Sequence, residues 1–405
     1  MSSKKGKSHF VLITSMNFPQ GGAASNYLNL FCKGVKGNGA DIEVLLLKGY
    51  LFRNHKTNDR RVNSTEYGVK YKYLGFINRP IYPFLKILDE LVSALMLIGH
   101  LFTFLAKRKK LTVLVYNNEV HSNLIIYFWC RLCAINLISF VPEFYDKSVF
   151  SGGFFRKIKW YGFLCNFYFL NKLSSKLIVF SQYIKDKYIE MKYLEQNILV
   201  QPNLTDFGYW LIDSKQNYTI GYSGTPSKKD GIEYLFKAIK LLKTKDIKVS
   251  VIIIGDNIAG NSLIPSLELL CSDLGISDCV SFSGLVSQNE VRVFLNSCKI
   301  LAVTRPVITQ AKAGFPTKLG EYFACKKVVL STNIGDTSKY FEDKKEIILA
   351  QSEDPQSIAD NIEWILANPE IVDKIVKDGY IKAMSLLDYT KQVPLMLNFI
   401  LSNKN

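Results

Sequence analysis

Short continuous apolar runs alternate along this chain with longer stretches whose apolar positions recur every three or four residues. In the first half the runs are His9–Met16, Ile42–Lys48, Val69–Leu74, Leu111–Tyr116, Ile135–Val141, Lys176–Phe180 and Asn197–Gln201. Helix-period stretches such as Ala23–Lys36, Ile81–Ala106, Ser122–Cys133 and Phe155–Asn171 lie between them. The second half repeats the rhythm with Tyr218–Ser223, Lys248–Gly255, Cys279–Gly284, Lys299–Thr304, Lys327–Thr332 and Glu346–Ala350. Uninterrupted strands separated by amphipathic helices predict parallel sheets covered on both faces. A chain of 405 residues is also too long for one ordinary core. The pattern therefore predicts an α/β chain of two doubly wound domains, 1–203 and 204–385, joined near the polar, turn-rich segment Pro202–Asn217. A helix-period tail, 386–405, can pack back on the first domain.

In doubly wound sheets ligands sit beyond the carboxyl ends of the strands, which selects the loops to read. The most informative loop precedes the run Val328–Leu330: Gly314-Phe-Pro-Thr-Lys-Leu-Gly-Glu321, with helical spacing from Thr317 to Cys325. A helix opening there aims unpaired N–H groups and its positive end at the loop, with Lys318 and Glu321 in the first turn. Phosphate against Lys318 and a sugar hydroxyl on Glu321 is the chemistry this spacing suits. A second loop, Gly221-Tyr-Ser-Gly224-Thr-Pro-Ser-Lys-Lys229-Asp-Gly231, brings Lys229 to a helix start, where a cation opposes the helix dipole unless an anion is bound. Gly21-Gly22 after the first strand permits close backbone approach but is not a GxGxxG fingerprint. Glu143 and Asp146 follow the run ending at Val141; either suits a general base, although solvated loop acids are commoner.

Charge is distributed unevenly. Residues 1–200 hold 28 Lys and Arg against 12 Asp and Glu, while residues 201–405 hold 23 of each, so the whole net charge of +16 lies in the first half. That asymmetry predicts an anionic partner for the first domain, and the lack of any nucleic-acid-binding signature favours a membrane surface over nucleic acid. The apolar run Leu91–Ala106 is short of the roughly 20 residues of a spanning helix. Followed by Lys107-Arg-Lys-Lys110, it reads equally as an interfacial helix or as a core helix with a basic end. No signal peptide is visible at the N-terminus. The eight cysteines and four histidines share no ligand spacing, and Cys130-Arg-Leu-Cys133 reads as a pair of core thiols, so no metal site is predicted.

Taken in order, Gly21-Gly22, Ser223-Gly224 with Lys-Asp-Gly231, Val251-Ile-Ile-Ile-Gly255-Asp, Val280-Ser-Phe-Ser-Gly284 and Phe315-Pro-Thr-Lys-Leu-Gly-Glu321-Tyr resemble the retaining glycosyltransferases of GT-B fold. This is the large nucleotide-sugar-dependent family, glycosyltransferase family 4-like, group 1, and here the polysaccharide-assembly type. The resemblance spans nearly the whole chain. It implies two Rossmann-like domains facing across a cleft, an acceptor-binding one (1–203) and a nucleotide-sugar-binding one (204–385). It further implies that Lys229 holds the donor diphosphate, that Thr317, Lys318 and Leu319 cap it, and that Glu321 takes the ribose hydroxyls. Gly21, Gly22 and Gly224 would approach the donor, and Leu285 would lie by the base. No cofactor or metal is implied beyond the nucleotide-diphosphate sugar itself.

Two departures stand out. Ala313 occupies the place of a glutamate eight residues before Glu321, and Thr225 and Pro226 follow Gly224 where an arginine is usual, with Arg305 as its stand-in. The expectation is a metal-independent, hexosyltransferase-like enzyme of surface polysaccharide biosynthesis. It would use a lipid-linked or glycan acceptor, with Glu143 on the acceptor side and Lys229 on the leaving group. It would be cytoplasmic and peripheral at the inner face of the cell membrane. The alternatives are a nucleotide-sugar epimerase of the same fold and a catalytically degenerate nucleotide-binding protein.

Overall fold

The computed structural model describes residues 8–49, 61–105, 111–257 and 260–402. The basic stretches at Lys4–Lys7 and Lys107–Lys110 lie outside the described residues. The chain divides into two compact units, Met1–Pro202 with Tyr389–Asn405, and Asn203–Asp388.

The first unit is built on eight strands: β1 (His9–Thr14), β2 (Asp41–Leu46), β3 (Val62–Ser64), β4 (Lys70–Tyr73), β5 (Leu111–Tyr116), β6 (Asn136–Val141), β7 (Lys176–Val179) and β8 (Ile198–Val200). Their order in the sheet is β3-β4-β2-β1-β5-β6-β7-β8. All pair in parallel except β3 with β4, whose antiparallel contact is a three-residue edge the apolar pattern does not reveal. β5 is buried at all six positions, because helices cover both faces of the sheet and no side of the strand meets water. Four helices matter below: α1 (Ala23–Gly37), α2 (Pro83–Phe104), α3 (Val120–Leu132) and α4 (Phe154–Cys165). The helix expected over Phe155–Asn171 is not continuous: α4 ends at Cys165 and a π-helical turn, Asn166–Leu170, follows.

The second unit has six strands: β9 (Tyr218–Ser223), β10 (Val251–Ile254), β11 (Val280–Gly284), β12 (Cys298–Val303), β13 (Val328–Thr332) and β14 (Ile348–Ala350). They are ordered β11-β10-β9-β12-β13-β14. The chain winds outward one way from β9 and the other way from β12, so the crevice where this topology takes ligands lies between the ends of those two strands. In the first unit the same reversal falls between β1 and β5. The segment Pro202–Asn217 is not a free linker. Its aromatic side chains Phe207 and Trp210 are buried in the core of the second unit, which anchors it there. The closing helix Tyr389–Leu401 belongs to the first unit and lies against α1 so tightly that a Cβ on Gly34 would sit 2.7 Å from Val393. The eight cysteines are all free thiols, with Cys130 buried and Cys133 half-buried.

Candidate functional site

The ends of β9 and β12 converge on one carboxylate, Asp230. Beyond β9 the chain turns at Gly224 (φ +121), a conformation reserved for glycine, and enters the 3-10 turn Lys228–Asp230. Gly231 follows with φ +62, and a Cβ there would lie 2.1 Å from Thr304 O, so only glycine closes this turn. Thr304, just past β12, donates its hydroxyl to Gly231 O (3.0 Å) with Asp230 O also in reach (3.2 Å). The turn is thereby tied to the strand end. Tyr222, fully buried on β9, donates its hydroxyl to Asp230 Oδ2 at 2.8 Å.

Two cations share that one acid. Arg305 Nε lies 3.4 Å from Asp230 Oδ1, and Lys318 Nζ lies 3.4 Å from Oδ2 and 3.9 Å from the centre of the Tyr222 ring. All three charged residues are more than nine-tenths buried. Arg305 is held from behind, because its carbonyl accepts the hydroxyls of Thr332 (2.8 Å) and Ser352 (2.6 Å). Among the described residues, Arg305 Nη1 and Lys318 Nζ are buried donors with no hydrogen-bond partner. The cluster thus carries a surplus positive charge and unfilled donors, a costly state in an interior unless an anion completes it.

The ionisation of the cluster reflects this imbalance. Burial works to raise the Asp230 carboxyl, but Lys318 and Arg305 overcome it and hold the group down at about 2. Lys318 is pulled down to about 8 by burial, only partly offset by Asp230 and further opposed by Arg305. Glu321, half-buried on the first turn of the helix Lys318–Ala324, is pushed up to about 7 by burial, with Lys318 acting against the shift. Tyr322 on that helix accepts a hydrogen bond from the Ser223 amide (2.8 Å), which locks the helix to the end of β9.

Sequence reasoning singled out Arg305, Lys318, Glu321 and Gly224, and the fold brings these together. Lys229 sits beside them on the Lys228–Asp230 turn, half-exposed, its charge adding to the field on Asp230. The helix expected from Thr317 is only seven residues long, and its cap is unaided by any side chain. Leu319 fits its expected place less well: its side chain is core, and its amide already donates to Pro316 O at 3.0 Å. Leu285 is an exposed side chain just past β11, two strands from the reversal point. Ala313 is fully buried at the end of the short helix Thr309–Ala313. Asp230, Tyr222 and Tyr322 were missed as site residues. The only available signal for Asp230 was an acid between two lysines and a glycine.

The first unit holds a second cavity at the ends of β5 and β6, lined among others by Asn117, Asn123, Glu143, Tyr145 and Phe163. Asn123 donates to Asn166 Oδ1 (2.9 Å), and its own Oδ1 is buried with no partner among the described residues. The π-helical turn that begins at Asn166 positions this pair. Tyr145 donates its hydroxyl to Glu143 Oε2. Gly21 and Gly22 lie past the end of β1, with Gly22 capping α1; the space beside Gly22 is open, and a Cβ there would meet nothing within 4 Å.

The sequence and the fold are similar to those of known proteins. Residues 210–382 match the family model for glycosyl transferases group 1. A curated relative, the uncharacterized glycosyltransferase MJ1178 of Methanocaldococcus jannaschii, is 25% identical over 207 residues, which is 51% of this chain and 54% of the relative. The chain thus matches about half the length of that relative. Among solved structures, Anabaena HepE in complex with UDP-glucose is 16% identical with a TM-score of 0.69, covering 96% of this chain and 99% of that one. Sucrose-phosphate synthase of Thermosynechococcus elongatus is 14% identical with a TM-score of 0.72, covering 97% and 98%. WaaG, a glycosyltransferase involved in lipopolysaccharide biosynthesis, is 12% identical with a TM-score of 0.65, covering 98% and 100%. The chain has the two-domain α/β fold of GT-B glycosyltransferase structures, and within it residues 210–382 match the family model for glycosyl transferases group 1.

Proposed function

We propose that this protein is a glycosyltransferase that moves a hexosyl unit from a nucleotide-diphosphate sugar to a lipid-linked or other glycan acceptor, with retention at the anomeric carbon. The observation that carries the reading is the surplus of buried positive charge on Lys318 and Arg305 over Asp230, at the strand reversal of a glycosyl transferases group 1 domain. A diphosphate supplies the charge and the acceptor oxygens those orphaned donors lack. As the anomeric C–O bond to the diphosphate breaks, negative charge grows on the leaving oxygen, and Lys318, Arg305 and Lys229 are already in place to meet it. A preorganised donor of this kind contributes about 3 kcal/mol to lowering a barrier. The acceptor hydroxyl forms the new C–O bond and gives its proton to the leaving phosphate, so neither a metal nor a protein nucleophile is required.

In this reading Glu321 takes the ribose hydroxyls, Gly224 and the amide of Thr317 lie along the phosphates, and Leu285 flanks the base. Gly21 and Gly22 leave room for a ligand past β1. Glu143 and the asparagine cavity of the first unit receive the acceptor sugar. HepE, crystallised with UDP-glucose, and WaaG, involved in lipopolysaccharide biosynthesis, support the donor class and a role in surface polysaccharide assembly. The basic first half supports a peripheral site at the anionic inner face of the membrane.

Calorimetric titration of UDP, GDP and ADP into wild type and Glu321→Ala tests the donor site. Micromolar binding of one nucleotide, without added metal and weakened by the substitution, is expected. Failure of all three to bind would sink the reading. One observation favours a second reading: the family's usual glutamate is replaced by the buried Ala313. A catalytically degenerate protein would bind the nucleotide and turn over no donor sugar.

A further inference from the structure

Among the described residues, large exposed apolar side chains concentrate on the outer surface of α2, α3 and α4. On α2, Phe84, Ile87, Leu91, Leu95, Ile98 and Phe102 recur at helical spacing, with Phe84 73% and Leu95 70% exposed. The opposite side of α2, marked by Leu97, Leu101 and Phe104, is sunk in the core of the first unit. α3 repeats the arrangement: Ile126 and Cys130 join the same core, while Leu124, Phe128 and Leu132 face outward. No residue of α4 is buried, and its Phe154 and Phe155 are 73% and 79% exposed.

The three helices lie side by side. The Phe102 and Trp129 rings meet edge to face at 4.5 Å, and Trp129 Nε1 donates to Leu101 O at 3.1 Å. α3 and α4 approach so closely that a Cβ on Gly162 would lie 3.3 Å from Val120. Because α2 and α3 bury into one cluster and α4 packs against α3, their outward apolar side chains stand on adjacent helices, a patch spread over three neighbouring elements of one unit. Monomeric soluble proteins seldom expose such a patch without a partner.

Charge identifies the partner. Five cations, Lys86, Arg131, Arg156, Lys157 and Lys159, are exposed on these three helices. The acids are fewer: Asp89 is buried and accepts the Phe76 amide, and Glu90, its side chain 45% exposed, lies 3.9 Å from Lys48. A second copy of the chain would set this cationic rim against its own like charge. An anionic bilayer opposes it with phosphate and accepts the apolar side chains. α2 is 22 residues long and apolar enough to cross a membrane by composition, but the face that holds Leu97, Leu101 and Phe104 in the core keeps it lying along the domain.

We propose that α2, α3 and α4 form a monolayer-inserting face, with Phe84, Phe155 and their apolar neighbours entering the acyl boundary and Arg156, Lys157 and Lys159 gripping lipid phosphates. This specifies the membrane contact of the proposed function and rests on that reading. It is tested without donor or acceptor, so failure of docking and failure of transfer read out separately.

The experiment is sedimentation of the full chain with vesicles of phosphatidylcholine containing about 30% phosphatidylglycerol, and with phosphatidylcholine alone. Wild type should partition to the anionic vesicles, and a fraction should persist in about 1 M NaCl, where screening over about 3 Å leaves only insertion. Phe84→Asp with Phe155→Asp should lower partitioning about tenfold or more while thermal unfolding stays unchanged, since both side chains already stand in water. Arg156→Gln with Lys157→Gln and Lys159→Gln should lose the preference for anionic lipid and keep the salt-resistant fraction. Wild-type partitioning to the Asp double variant's level would overturn the proposal, as would complete release in high salt. A stable dimer by light scattering that the Asp variants dissolve would assign the face to a second copy instead and overturn it equally.

Discussion

The two halves of this molecule use cations in opposite ways. The second half has no net charge, yet its key cations, Arg305 and Lys318, are buried against a single carboxylate and outnumber it. The first half carries the entire net charge, and on α3 and α4 its arginines and lysines stand in water around an apolar patch. A buried cation is fixed in place and barely screened, so it can meet one small, highly charged group. Exposed cations act together over an area, weakly and subject to salt. The first arrangement suits a diphosphate and the second a surface. The comparison teaches that net charge alone does not reveal buried cations such as Arg305 and Lys318, which lie in the half without net charge.

The comparison breaks most directly at Lys318. Lys318→Met is expected to weaken UDP binding by about 100-fold or more, while Lys229→Met, on a half-exposed turn, should cost about tenfold. Calorimetry on both variants decides between them, and a larger loss at Lys229 would move the anion site out of the buried cluster. The unliganded Lys318→Met protein should be at least as stable to heat as wild type, because an uncompensated buried charge is removed. Affinity and stability changing in opposite directions is the signature of a group retained for its ligand.

Asp230→Asn sharpens the same point from the other side. It leaves Arg305 and Lys318 facing each other with no counter-charge, and a loss of about 3 kcal/mol in unfolding free energy is expected. Part of this is visible in wild type by acidification. The Asp230 carboxyl is held at about 2 in the fold, below its ordinary 3.8, so its contribution is fully present above 3.8 and is lost as pH falls toward 2. Urea unfolding of wild type and Asp230→Asn between those limits should converge. In the first half, Glu143→Ala should lower turnover about 100-fold and leave UDP affinity as it is. Unchanged turnover would remove Glu143 from the reaction.

Much of the architecture was legible because parallel strands covered on both faces must be continuously apolar, and runs such as Leu111–Tyr116 and Tyr218–Ser223 coincide with β5 and β9. What escaped notice was held by something other than pattern. Val62–Ser64 is an edge strand with too few residues to show a period. Phe207 and Trp210 lie in a polar context, and only tertiary packing turns their segment from linker into core. The break at Asn166 arises because Asn123 and Asn118 hydrogen-bond to its side chain, a contact from distant segments that no local window contains. In the site, Lys318 and Glu321 were readable because one short helix presents both. Asp230 was not, because its importance comes from two cations that arrive from 75 and 88 residues further along the chain. The membrane face was half legible: α2 declares itself by composition, whereas α4, with three cations among its aromatics, reads as an ordinary amphipathic helix until its burial is known.

The smallest expected effect is also the one that separates the two halves without mutation. A nucleotide diphosphate needs Lys318 protonated, and Lys318 titrates near 8, so affinity should fall as pH rises above that value. Hydroxyls that donate to Glu321 need it ionised, and Glu321 titrates near 7, so affinity should also weaken as pH drops below that value. The UDP association constant should therefore peak between about 7 and about 8 and change by at most about tenfold per unit on either side. Bound phosphate will itself favour the charged lysine and carry the alkaline limb upward, so titrations on the alkaline side should take up protons. Lys318→Arg should flatten that limb and Glu321→Gln the acidic one. Vesicle docking rests on apolar insertion and exposed cations that share no buried partner, so it should stay level across the same interval. A bell-shaped docking curve, or a flat nucleotide curve, would mean that the buried and exposed cations do not divide the work as their surroundings indicate.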